Sequence, residues 1–115
     1  MRLVIVESPY AGDVETNVRY ARRCMADCLA RNEAPYASHL LYTQPGVLDD
    51  DVPGEREAGI QAGFAWRQVA EATVVYTDYG ISGGMKYGIK DAEKRGSPVE
   101  YRTIGINSGE ASAIQ

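Results

Sequence analysis

The chain has 115 residues, 44% of them hydrophobic, and a formal net charge of −4. That is one ordinary globular domain with enough apolar material for a core, and its charge disfavours a nucleic-acid backbone as partner unless Arg19, Arg22, Arg23 and Arg31 share a face. The opening Met1 to Val6 is too short an apolar run, and turns polar too soon, for a signal peptide or membrane span.

Leu3 to Val6 is continuous and β-branched, the pattern of a central strand covered on both faces. After the turn Glu7 to Gly12, Asp13 is suited to N-cap a helix reaching about Arg31, with Val14, Val18, Ala21, Met25, Cys28 and Leu29 at helical spacing and the arginines outside. Cys24 and Cys28 lie four apart without a CxxC or a histidine companion, and read as reduced core residues of a cytoplasmic protein. A short strand is expected over 34–38. A polar loop, 43–53, follows and carries Asp49, Asp50 and Asp51, which read as a solvated feature before a magnesium site.

A second helix is expected over 55–72, with Ile60, Gly63, Phe64, Val69 and Trp66 turned inward, then a strand over 74–77. The next segment, Asp78 to Ala92, runs from that strand through a glycine-rich turn into a helix ending near Arg95, and Pro98 to Arg102 forms a last strand. Residues 1–104 thus make one domain, and 105–115 a small polar tail with little to bury, expected to be disordered or docked on a partner.

Strand and helix alternate throughout, which predicts an α/β fold: a single doubly wound parallel sheet of four or five strands with helices on both faces. Ligands in such sheets bind beyond the carboxyl ends of the strands. Four loops meet there: 8–12, 39–42, 78–84 and the residues after Arg102.

In the first loop, Ser8 offers a hydroxyl and Tyr10 a ring for stacking; the alternative is a turn whose tyrosine covers the core edge. His39 is the only histidine, which excludes multi-histidine metal sites and leaves a structural or a catalytic role. Ser82, Gly83, Gly84 and Met85 open a helix whose free N–H groups and dipole suit a phosphate, although any strand-to-helix turn favours Gly and Ser. Arg56 is placed to clamp a phosphate or pair with a carboxylate. No metal or cofactor is expected.

Ser8-Pro-Tyr10, the helix start Asp13 to Asn17, His39-Leu40, and Gly80 to Ala92 with Gly96-Ser-Pro98 together resemble the nucleoside 2-deoxyribosyltransferase-like superfamily, closest to its short phage and bacterial members, across residues 1–102. The resemblance implies exchange or hydrolysis of the N-glycosidic bond of nucleosides or nucleoside monophosphates. It also implies a base and sugar near Ser8 and Tyr10, a phosphate near Ser82 to Met85, and frequent assembly into oligomers. The glutamate nucleophile implied by the resemblance falls at Gly88, and its upstream aspartates have no counterpart at Gly63 to Trp66 or at Thr73.

Three functions follow as expectations. The first is a nucleotide or nucleoside-phosphate binder without the family's catalysis. The second is an N-glycosidic hydrolase or transferase using relocated carboxylates, Glu57 and Asp78 foremost and Glu7 behind them. The third is a homo-oligomeric interaction module with a vestigial pocket. The expected partner is a small nucleotide or nucleoside, with neither nucleic acid nor membrane.

Overall fold

The structure is a computed structural model that describes residues 1–106. Its elements, in chain order, are β1 (Arg2–Glu7), α1 (Val14–Ala30), β2 (Glu33–Tyr36), α2 (Ser38–Leu41), α3 (Pro53–Arg67), β3 (Ala72–Tyr76), α4 (Gly83–Lys94) and β4 (Val99–Arg102). The four strands pair in parallel in the order β2-β1-β3-β4. These are the first four positions of a flavodoxin-like sheet, and the chain reverses its direction of growth between β1 and β3.

Alternation along the strands divides the core in two. Val4 and Val6 of β1 and Ala72, Val74 and Tyr76 of β3 pack against Tyr20, Cys24 and Cys28 of α1. On the opposite face Val75 packs against Met85 and Ile89 of α4. β3 is buried along its whole length, as a strand covered on both faces must be. Both cysteines are buried free thiols within the first cluster.

The helix faces differ in register from the sequence expectation. The buried stripe of α1 is Asn17, Tyr20, Ala21, Cys24 and Cys28, whereas Val14 and Leu29 are exposed. Asn17 takes an inward place because its amide donates to the carbonyls of Tyr10 and Ala11, at 2.9 and 3.1 Å, and so fixes the β1–α1 loop. α3 stops at Arg67 rather than continuing to 72, because residues 68–71 turn back to β1, where the Glu71 N–H donates to the Leu3 carbonyl. Val69 and Trp66 are consequently exposed, and the Trp66 indole N–H donates to the Tyr42 hydroxyl. The strand expected over 34–38 occupies Glu33–Tyr36, and the short α2 begins at Ser38.

Asp78, just beyond β3, anchors the end of the described chain. Its carboxylate accepts from the Tyr20 hydroxyl at 2.7 Å, the Ile104 N–H at 3.0 Å and the Ile106 N–H at 3.0 Å. Ile104 and Ile106 pack on the α1-side core, so Gly105 and Ile106 belong to the ordered domain; residues 107–115 of the expected tail lie outside the described residues. Burial acts to raise the Asp78 pKa, but the hydrogen bonds from Tyr20, Ile104 and Ile106 prevail and lower it. The stabilisation from this clasp is therefore present above the ordinary carboxylate pKa and is lost as pH falls through the folded value. Asp78→Asn should cost about 1–3 kcal/mol in urea denaturation at neutral pH and speed amide exchange at Ile104 and Ile106, with a smaller deficit in acid.

Candidate functional site

Beyond the carboxyl ends of β1 and β3 lies a cavity of about 330 Å³, within the range of small-molecule sites. β1 contributes Glu7, its following loop Tyr10 and Ala11, and α2 Ser38 and His39. α3 closes one side with Arg56, Ile60, Phe64 and Arg67, and α4 the other with Gly83, Gly84, Tyr87 and Gly88.

The floor is a buried chain of charges. The Arg67 side chain is 2% exposed, and its guanidinium donates to Glu7 Oε2 at 3.0 Å, to Asp91 Oδ2 at 3.0 Å and to the Thr73 hydroxyl. One guanidinium thus satisfies groups on β1, α4 and β3, a use of its planar fork that lysine could not reproduce. Burial pushes the Glu7 carboxyl up to about 7, against the lowering effect of the Arg67 charge and hydrogen bond.

Glu7 can occupy this place because residue 88 is glycine. A Cβ there would lie 2.8 Å from Glu7 Oε1 and closer still to Oε2, so the carboxyl group fills the space where a side chain of α4 would begin. The glutamate that the sequence resemblance leads one to look for at 88 is missing from α4, yet a carboxyl enters the same neighbourhood from β1.

Part of the wall is an uncharged ring stack. Tyr10 and His39 stack with ring centroids 4.5 Å apart and planes 17° from parallel. Burial pushes the His39 imidazole down to about 4, so it is uncharged at neutral pH. At the mouth of α4 the Ser82 hydroxyl accepts the Met85 N–H at 3.3 Å, while the Met85 sulfur accepts the Ser82 N–H. Gly83 and Gly84 occupy the first turn, where N–H groups have no intrahelical acceptor, and both line the cavity.

Of the ligand-binding residues expected from sequence, Tyr10, His39, Ser82, Gly83 and Gly84 meet at this cavity. Ser8 and Met85 are buried beside it without lining it. Glu57 is exposed on α3, where it accepts from Gln61, and lines a separate depression with Phe64 and Tyr87. Asp78 is committed to the Ile104–Ile106 clasp on the α1 side. Of the three carboxylates named from sequence, Glu7 is the one that lines this cavity, together with Asp50. Arg67, Asp91 and the accommodating role of Gly88 escape a reading of sequence alone, because only the packing of α3 on α4 brings them to β1.

Two outcomes follow from this floor. Gly88→Ala should destabilise the fold by about 1–3 kcal/mol, and the Glu7→Ala/Gly88→Ala double variant should be more stable than the sum of the single effects, as a double-mutant cycle in urea would show. Because folding raises the Glu7 pKa from 4.5 to about 7, the folded state binds the extra proton in that window, so wild-type stability should fall relative to Glu7→Gln as pH rises from 4.5 to 7 and change little above it.

Residues 2–102 match the family described as Domain of unknown function (DUF7768), and the chain belongs to that family. No curated protein matches it.

Proposed function

We propose that this member of the DUF7768 family binds a nucleoside or nucleotide in the cavity beyond β1 and β3, as expected from its resemblance to the nucleoside 2-deoxyribosyltransferase-like superfamily. The observation that carries the proposal is the meeting of three features at the sheet's switch point: the Tyr10–His39 stack, the first-turn amides of Gly83 and Gly84, and an apolar wall of Ile60 and Phe64. A flat base suits the stacked rings, and an oxygen-rich sugar or phosphate suits the glycine turn. Arg56 at the rim adds a positive charge for a phosphorylated ligand, against Asp50 beside it.

N-glycosidic cleavage is the second reading, and Glu7 specifically favours it. A cavity-lining carboxyl whose pKa is raised toward neutrality is the kind of group that acid–base chemistry uses. A homo-oligomeric module would draw on exposed apolar side chains such as Leu41, Trp66 and Val69, which give no account of the Tyr10–His39 stack.

A thermal-shift screen of nucleosides, nucleoside monophosphates and diphosphates, with chromatography of each mixture for free base, tests both readings. Stabilisation by at least one base-bearing ligand is expected. Tyr10→Ala should weaken that ligand about tenfold, equivalent to roughly 1.4 kcal/mol of lost stacking. Absence of stabilisation by every member of the screen would contradict ligand binding.

A further inference from the structure

We propose that Glu7 is the catalytic residue of this cavity and that, delivered from β1 into the space left by Gly88, it acts as a general base on water, making the site a hydrolase rather than a base-exchanging transferase. The proposal rests on the second reading above, N-glycosidic cleavage.

The geometry argues for the base and against the nucleophile. A nucleophilic carboxylate must bring an oxygen within about 3–3.5 Å of the sugar's anomeric carbon, C1′. A glutamate rooted on α4 would project its carboxyl several bonds out from the helix. Glu7 instead holds its carboxyl where the Cβ of residue 88 would be, against the helix backbone, with only 16% of the side chain exposed. Its Oε2 is tied to Arg67, which Asp91 and Thr73 hold in turn. A carboxyl recessed in this way is suited to direct a water at a bound sugar rather than to attack the sugar itself.

The step balances without another reactant. The Glu7 carboxylate takes one proton from water, whose oxygen bonds to C1′ as the C1′–N bond breaks. The bonding pair leaves with the base nitrogen, which takes up a proton from bulk water, and protonated Glu7 returns its proton to solvent. The sum is nucleoside plus water to free sugar plus free base. Arg67 is a positioning residue: it fixes the carboxyl and touches no reacting atom.

The test incubates the full chain and its Glu7→Gln variant with purine and pyrimidine nucleosides and their 5′-monophosphates. Free base, free sugar and incorporation of an added second base are measured, with ligand stabilisation recorded in parallel. Expected are equal amounts of base and sugar, no incorporation of the second base, and an inverted sugar product. Glu7→Gln should slow release at least 100-fold while ligand stabilisation persists. The wild-type rate should rise with pH through the Glu7 ionisation and level off above it.

If Glu7→Gln fails to fold, Glu7→Asp keeps a charge for Arg67 and retracts the carboxyl; its kcat should fall at least tenfold with KM little changed. Incorporation of the second base, a retained anomer, or undiminished release by these variants would overturn the proposal. Stabilisation without any base release would overturn it too, while leaving ligand binding intact; no stabilisation at all would remove the binding reading itself.

Discussion

The rest of the site depends on one buried guanidinium. Arg67 is the fully buried residue of α3, and through Glu7, Asp91 and Thr73 it fixes that helix to β1, α4 and β3. An isolated charge in that position would be intolerable; paired with two carboxylates and a hydroxyl it is neutralised and hydrogen-bonded. Such a network brings little net stability over a well-packed apolar alternative, because desolvation offsets most of the attraction. What it provides is orientation. An apolar contact can slide, but the planar fork of an arginine accepts few arrangements of its partners.

That constraint propagates into the cavity. With α3 and α4 set by Arg67, the Glu7 carboxyl is pressed against the backbone of α4, and only glycine at 88 permits it. Gly83 and Gly84 in the first turn of the same helix line the space that the β1–α1 loop and α2 line with stacked rings. Asn17 holds the loop carrying Tyr10 from the other side, so the pocket is braced through both layers of helices. In the Gly88–Glu7 pair, the absence of a side chain on one element and the presence of a carboxyl on another are two sides of one packing solution.

Much of this architecture is legible in the sequence. The unbroken β-branched runs of β1 and β3 announce strands covered on both faces, and the alternation of elements gives the parallel sheet. The glycine turn and Tyr10 are visible because turn chemistry and aromatic residues are local signals. Helix registers are harder. Apolar spacing favours Val14 and Leu29 on α1, but a polar Asn17 wins an inward place by satisfying two loop carbonyls. Ile106 reads as part of a polar tail because nothing nearby in sequence reveals that Asp78 receives its amide along with that of Ile104.

Arg67 marks the limit of such a reading, as does its pairing with Glu7, a carboxylate that the sequence ranks behind Glu57 and Asp78. An arginine near a helix end ordinarily belongs to solvent, and a glutamate at a strand end reads as the start of a turn. Their roles arise from contacts across sixty residues of sequence and cannot be inferred from either neighbourhood. Gly88, by contrast, is conspicuous in the sequence, and only three-dimensional placement shows that the Glu7 carboxyl lies where its side chain would begin.

The ligand site proposed for this protein is the cavity floored by Glu7. Amide chemical-shift mapping by NMR, titrating the labelled protein with a stabilising nucleoside or nucleotide, tests it most directly. The largest shifts are expected at Glu7, Tyr10, Gly83, Gly84 and Gly88. Shifts concentrated instead on the outer face of α1 or along β4, with these five amides unmoved, would contradict it.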